Sequence, residues 1–427
     1  MKPWREAARE HAGGGAPARY STCAATDDSE SFSLLFWSPE LAIAAAVTFV
    51  YLCSSALFGR LATPGYDYLG EQTQAWLRGH LSLGSASQLT DLVQADGRWY
   101  MVFPPLPSLL ILPWRAVTGG TVYDSGVLAA LMGGATAGLA YRLLACLTKR
   151  GWTQHALTDH LWLASFIAFG SVYWSVATQG TVCFVVETCA AAYAMGAMVV
   201  AADGGPGWLS GVCLGAAMLG RPHIFLLSPL LLALALHGKP MGRGALAKWT
   251  AGLSLCVAGA ALVLACYNLL RFGNPLDFAY ERAVMKPSFK AEVEQYGVFS
   301  HHYVLRNLWA MWIAWPVRNG RGGLTANPLG MSIFLTTPAI ITIFLARKPG
   351  MVVAAAWLSI IALLVPILLY YNTGWVQFGS RFSVDFLAAL LILIALAWPD
   401  GVPKYGKALI AAGWLVNGWG VAWYTWG

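Results

Sequence analysis

The sequence predicts an all-α protein, a polytopic bundle of transmembrane helices. Three observations predict it. Of 427 residues, 57% are hydrophobic and only 11% are charged, whereas an ordinary soluble domain is about 25% charged. The apolar runs are long and unalternated, unlike the short alternating segments of an outer-membrane barrel. Aromatic residues make up 13%, with 20 Trp, as suits a chain that must anchor many bilayer interfaces. A soluble globular protein, a disordered chain and a coiled coil are thereby excluded. The net charge of +7 is read as topology and headgroup contact and not as nucleic-acid binding. The cysteines at 23, 53, 146, 183, 189, 213, 256 and 266 lack metal or redox spacing and read as small buried hydrophobes.

Residues 1–40 read as a flexible cytoplasmic tail, polar and Gly/Ala-rich through about Ser33, with no secretory signal peptide ahead of the first apolar run. Residues 41–427 read as a single integral membrane domain. Its first span is 41–58, followed by a polar-to-mixed stretch, 59–124. Within that stretch FPPLPSLLILPW (103–114) carries four prolines and is too short to cross, so it reads as re-entrant or interfacial. Further spans are expected at 127–147, 161–177, 182–202, 209–219, 224–236, 249–270, 329–346, 352–370, 382–398 and 408–423, about eleven in all. Those at 209–219 and 224–236 fall short of the roughly 20 residues a crossing needs. They read as short helices meeting at a proline break, Arg221-Pro222.

Orientation follows from basic residues in short loops. Lys149/Arg150, Lys239/Arg243/Lys248, Arg347/Lys348 and Lys404/Lys407 fall on one side if the spans alternate, and that side is taken as cytoplasmic. The opposite side receives the long loops near 59–124 and 271–327 and the short GWVQFGSR (374–381). Chemistry is therefore expected at the extracytoplasmic surface of a cell (inner) membrane.

Several stretches carry candidate chemistry. In GYDYLGEQTQAWLRG (65–79), a helix would set Leu69, Trp76 and Leu77 on one face and Asp67, Glu71, Gln74 and Arg78 on another. Asp67 and Glu71, one turn apart, can serve general-base work; Asp67 can equally cap the helix. Outside the membrane arginine prevails: Arg60, Arg78, Arg98, Arg115, Arg221, Arg271, Arg282, Arg306, Arg318, Arg321 and Arg381 against Lys286 and Lys290. The planar guanidinium fork suits phosphate oxygens, although snorkelling and ion pairs are alternatives. Arg221 and Arg381 lie at the edges of apolar sequence, where an unpaired charge is costly, and Asp385 follows Arg381 by four residues as a possible partner. GWVQFGSRFSVDF (374–386) places Trp375, Gln377, Arg381 and Asp385 at a helix start beside two glycines, a reasonable anion site. YNLLRFGNPLDFAY (267–280) holds Arg271 and Tyr280 at a span end. Glu187, in or near a span, is a functional suspect. Tyr280, Tyr296, Trp309, Trp312 and Trp315 are expected to line or lid a cavity. His301-His302 reads as solvated, and no His/Asp/Glu cluster suggests a metal.

Taken in order, GYDYLGEQTQAWLRGHLSL, DGRWYMVFPPLPSLLILP, GRPHIFLLSPLLL, YNLLRFGNPLDFAY, PLGMSIFLTTP and GWVQFGSRFSVDF resemble the membrane-embedded GT-C glycosyltransferases. The likeness is to bacterial relatives of the dolichyl-phosphate-mannose protein mannosyltransferases and the lipid A aminoarabinose transferases. It runs from about Leu41 to Trp398. The resemblance implies a polyprenyl-phosphate-linked sugar donor, an extracytoplasmic site and a catalytic acid in the first loop, which maps onto Asp67. Family members often carry two adjacent acids there, whereas this chain has Asp67-Tyr68 with Glu71 a turn later.

On that footing Asp67 is the general base and Glu71 the accompanying acid. Arg381, Arg221 and Arg271 would bind the donor phosphate, and Tyr66, Tyr100, Tyr280, Gln377, Trp375 and Asp385 would line the substrate cavity. Inversion in a single displacement requires one carboxylate, and the phosphate leaving group needs arginines more than a proton. No cofactor or metal is called for. Expected partners are the lipid-linked donor, a lipid, glycan or protein acceptor, and membrane lipids, with no nucleic acid. The competing class is a lipid or solute transporter or flippase, which internal repeats would favour; none is evident.

Overall fold

The computed structural model describes residues 38–62, 68–84, 89–238, 242–318, 320, 322–374 and 376–426. Most of the expected N-terminal tail lies outside these residues. Pro39–Gly427 forms one compact unit.

The elements follow from the apolar pattern. Helix α1 (Pro39–Leu57) opens on a proline, whose fixed φ suits a first helical turn. A short α2 (Tyr68–Leu77) and a hairpin of β1 (Leu92–Ala95) and β2 (Arg98–Met101) follow. The hairpin turns at Asp96-Gly97, both at positive φ (50° and 73°), the backbone that a tight two-residue turn requires. The proline-rich stretch forms α3 (Leu106–Thr118). At 13 residues and 1.5 Å per residue it is about 20 Å long, too short to cross, as expected. Then come α4 (Asp124–Lys149), α5 (Leu157–Ala168), α6 (Tyr173–Ala177), α7 (Val182–Ala202), α8 (Gly207–Met218), α9 (Ser228–Gly238) and α10 (Arg243–Phe272). The long loop near 271–327 contributes α11 (Pro287–Tyr296) and α12 (Val304–Leu308). The chain ends with α13 (Ile333–Thr336), α14 (Gly350–Leu369), α15 (Leu387–Ala397) and α16 (Lys404–Trp426).

The result is a polytopic helical bundle. Among the described residues, α1, α4, α7, α10 and α14 are long and apolar enough to cross a membrane. Other expected spans are helical but broken. The stretch expected at 161–177 divides into α5 and α6 around Gly170, which lies so close to α16 that a Cβ on Gly413 would fall 2.5 Å from the Gly170 carbonyl oxygen. The stretch expected at 329–346 divides into α13 and a 3₁₀ segment, Pro338–Leu345, because Pro338 lacks an N–H and restricts Thr337. The 224–236 and 382–398 stretches each begin as 3₁₀ turns, Pro222–Leu227 and Arg381–Phe386, before becoming α9 and α15. A 3₁₀ segment rises about 2.0 Å per residue, so such hybrids reach farther than an α-helix of equal count. Helix α15 is buried from Leu387 through Leu396, as a helix hydrophobic all round should be.

One end of the bundle is tied by charge. Arg142 reaches Glu40 (3.3 Å) and Asp203 (2.9 Å), and Lys149 reaches Asp203 (3.6 Å). Arg150 donates to the carbonyls of Leu234 (2.7 Å) and Ala201 (3.2 Å). Val402 N donates to Asp159 at 3.0 Å. The start of α1, the ends of α4, α7 and α9, and the turn before α16 therefore meet at one end, that of the basic short loops.

Small residues let the helices approach. Gly207, Gly211 and Gly215 recur every four residues along one face of α8, against α10. A Cβ at Gly207 would lie 1.9 Å from the Trp249 carbonyl oxygen, and one at Gly211 would lie 2.8 Å from that of Leu253. Neither backbone oxygen can move without shifting a helix. Gly207→Val is expected to destabilise the protein by about 1–3 kcal/mol through overpacking, visible as a lower unfolding midpoint in detergent. An unchanged midpoint would show that the α8–α10 contact is looser than this geometry requires.

Candidate functional site

At the end opposite the basic short loops, a cavity of about 370 Å³ opens between helix termini and the two long loops. That volume is within the range of small-molecule sites, roughly 300–1,000 Å³. Its lining, among the described residues, comes from five regions. Thr90 and Asp91 precede β1, and Val102 to Pro104 follow β2. Cys183 and Val186 belong to α7, and Gly220 to His223 to the α8–α9 break. The long loop near 271–327 supplies Phe278, Tyr280, Lys286 and Phe289, while Tyr370, Tyr371, Asn372, Arg381 and Phe382 come from the α14–α15 connection.

Local sequence explains how the two cavity arginines are delivered. Pro222 starts a 3₁₀ turn and forces Arg221 into an extended conformation, φ −134° and ψ 92°. The chain therefore leaves α8 at Gly220 and aims Arg221 sideways. Arg381 is the first residue of the second 3₁₀ turn. Gln377 braces it: the Gln377 amide oxygen accepts from Arg381 N (2.8 Å), and its nitrogen donates to the carbonyls of Leu329 (2.8 Å) and Thr373 (2.6 Å).

Both arginines are paired. Arg381 Nη1 donates to Glu187 at 2.6 Å and its Nε to the Gly374 carbonyl at 3.0 Å. Arg221 donates to Asp385 through Nε (3.0 Å) and Nη2 (2.5 Å), and its Nη1 lies 3.5 Å from Glu187. His223 Nε2 is 2.9 Å from the same Asp385 oxygen. Phe382 packs between the guanidinium groups, with its ring centroid 5.1 Å from Arg221 and 4.9 Å from Arg381. The Glu187 side chain is fully buried on α7 and shared by the two arginines, so the network is one unit.

This corrects one expected pairing: Asp385 does not serve Arg381. In a 3₁₀ turn of three residues, positions i and i+4 are rotated apart by about 120°, whereas in an α-helix they nearly align. Asp385 therefore faces Arg221 and His223, and Arg381 turns to Glu187. Glu187, flagged only as a charge in a span, is the hinge of the network. His223 was not singled out, although it adjoins the Arg221-Pro222 break.

The other expected site residues divide clearly. Tyr280 lines the cavity together with Arg221 and Arg381. Arg271 does not: it donates to the Met101 carbonyl (2.7 Å) and to Asn268 Oδ1 (2.8 Å), with its guanidinium carbon 3.7 Å from the Tyr267 ring centroid. It fastens the β-hairpin to the end of α10. Tyr100 is buried against Phe272, ring centroids 5.6 Å apart, and is also packing. Gln377 and Asp385 stand behind the cavity arginines and are not part of its lining. Glu71 is half-buried on α2 and does not line the cavity either. Its neighbour Gln72 anchors that helix, donating to Tyr267 Oη (2.8 Å) and accepting from Ser108 Oγ (2.6 Å). Asp67, Tyr66 and Trp375 lie outside the described residues.

Among the remaining arginines of the long loops, Arg115 pairs with Asp124 (2.7 Å), Arg306 with Glu292 (2.7 Å) and Arg282 with Asp277. The ion-pair alternative describes these three. Tyr296 stacks on His302 at 3.8 Å. Neither Tyr296 nor Trp309, Trp312 and Trp315 lines the cavity; all four rings are exposed on the protein surface.

Asp91 was not anticipated. It lies in a polar stretch, SASQLTDLVQADGRW, with no periodic or motif signal. Burial pushes its carboxyl up from the ordinary carboxylate value, with the positive charge of Arg381 opposing.

No family model matches the chain, and no curated protein matches it. Two solved structures of ArnT from Cupriavidus metallidurans are similar to it. Against ArnT bound to undecaprenyl phosphate, the identity is 16% and the TM-score 0.45, covering 86% of this chain and 60% of that one. Against ArnT in the apo state, the identity is 15% and the TM-score 0.47, covering 87% of this chain and 60% of that one. The chain therefore spans about 60% of the length of the ArnT chains to which it is similar.

Proposed function

We propose that this chain is an inverting membrane glycosyltransferase. In this reading it moves a sugar from a polyprenyl-phosphate donor to an acceptor at the extracytoplasmic face of the cell membrane. The observation that carries the reading is the convergence of Arg221 and Arg381 on one cavity at the bundle end away from the basic short loops. The rest of that cavity is largely aromatic and apolar. A phosphate beside guanidinium groups and a prenyl chain along an apolar wall are the ligand parts such a lining suits. The ordered sequence resemblance adds the reaction class. Residues 41–427 act as one membrane domain, with the loops near 59–124 and 271–327 supplying the substrate-facing surface.

In the proposed reaction Asp67 takes the proton of the acceptor hydroxyl or amine. The acceptor's lone pair forms the new bond to the anomeric carbon from the face opposite the phosphate. The bond between that carbon and the phosphate oxygen breaks, and its electron pair leaves with the lipid phosphate. Arg381 and Arg221 stabilise the charge gathering there. The test is transfer of radiolabelled sugar from a polyprenyl-phosphate donor by the purified protein; movement of the lipid across vesicles without transfer would favour the transporter class instead.

Arg381 supplies a sharper check. Hydrogen bonds to charged groups contribute about 1.5–3 kcal/mol each. Arg381→Ala is therefore expected to weaken undecaprenyl phosphate binding by about tenfold or more. Arg381→Lys keeps a charge for Glu187 but loses the fork, and should stay folded while still binding more weakly than wild type. Equal lipid binding by Arg381→Lys and wild type would remove Arg381 from the phosphate site.

A further inference from the structure

The turn leading into β1 carries a carboxylate that the fold does not need. Leu92 N donates to the Leu89 carbonyl at 3.0 Å, closing a turn in which Asp91 is the third residue, at φ 62°. That left-handed position favours Gly, and Asn and Asp are the side-chain-bearing residues that adopt it most readily. The turn is fixed through its backbone: Asp91 N donates to the Val284 carbonyl and Val284 N to the Leu92 carbonyl, each at 2.8 Å. None of these bonds uses the Asp91 side chain.

Among the described residues, the other acids near the cavity are committed. Glu187 is held by Arg381, and Asp385 by Arg221 and His223. The Asp91 carboxylate makes no hydrogen bond or ion pair with any described residue, and it lines the same cavity as the two arginines. An ionised carboxylate only accepts hydrogen bonds, and this one is open to donors that enter the cavity. Its complement is a ligand rich in hydroxyl donors.

We infer that Asp91 is a sugar-binding carboxylate: it accepts hydrogen bonds from the hydroxyls of the sugar carried by the lipid-phosphate donor. This rests on the glycosyltransferase reading above. It divides the recognition of one ligand between two groups. The arginines take the phosphate, and Asp91 takes the sugar attached to it.

Binding of bare undecaprenyl phosphate and of undecaprenyl phosphate carrying mannose, glucose, galactose or arabinose tests this, using the full chain in detergent. Wild type should bind at least one glycosylated lipid more tightly than the bare lipid. Asp91→Gly and Asp91→Asn should reduce that gain by about tenfold or more without weakening bare-lipid binding. Asp91→Gly should melt no lower than wild type, since glycine relaxes the positive φ. The inference is overturned if both variants keep the sugar-dependent gain, or lose bare-lipid binding to the same extent. A wild-type chain that binds the bare lipid but gains nothing from any of the four sugars overturns the Asp91 assignment alone. A wild-type chain that binds no polyprenyl phosphate overturns the glycosyltransferase reading, and this assignment with it.

Discussion

Asp67→Asn is expected to lower sugar transfer by about 10²-fold or more, with protein yield and donor binding retained. The amide keeps the shape and much of the hydrogen bonding of the carboxylate but cannot take the acceptor's proton. Glu71→Gln is the control. Glu71 lies on α2 outside the cavity lining, so its loss should cost less than that of Asp67. If Asp67→Asn transfers normally and Glu71→Gln is inactive, the base sits one helical turn along. If both variants are active, the first-loop acid is not the base and the resemblance fails at its central residue. A melting curve for each variant separates lost chemistry from lost folding.

Asp385→Ala is expected to destabilise the protein by about 3–5 kcal/mol, the usual consequence of removing one partner from a buried ion pair. Asp385 holds Arg221 through two hydrogen bonds and engages His223, with its side chain 1% exposed. Without it the one ion pair left to Arg221 among the described residues is the longer 3.5 Å approach to Glu187, which Arg381 already occupies. The loss should appear as a lower unfolding midpoint and, through a displaced Arg221, as weaker lipid binding. A double-mutant cycle with Arg221→Met should show strong coupling, because the apolar partner leaves no orphaned charge. An Asp385→Ala variant that melts like wild type but binds sugar donor poorly would assign Asp385 to the ligand and not to the scaffold.

Much of the bundle is legible in the amino-acid order because bilayer burial is written in composition and run length. Helices α1, α4, α7, α10 and α14 lie within a few residues of the stretches read as spans. The proline break at Arg221-Pro222 is legible for a similarly local reason, since proline restricts its own φ and the residue before it. The short α3 follows from its proline content and length. Breaks inside the 161–177, 329–346 and 382–398 stretches were not anticipated, because apolarity alone does not distinguish an α-helix from a 3₁₀ turn or a two-part helix.

The cavity was legible only in part. Arg221, Arg381 and Tyr280 were identifiable because arginine at the edge of apolar sequence and tyrosine at a span end are locally unusual. Which acid each arginine takes was not, since Glu187, Arg221, Asp385 and Arg381 meet only after α7, α8 and α15 pack together. Residue separations of 164 between Arg221 and Asp385 and 194 between Arg381 and Glu187 leave no trace in local spacing. The same holds for Arg271, Gln377 and Tyr100, whose residue types suit a binding site but whose side chains hold backbone segments in place. Hydrophobic run length and proline act within a few residues and so are fixed by the order of the chain. The direction of a charged side chain is set by the partner that desolvates least unfavourably beside it, and that partner is supplied by the packing of distant helices.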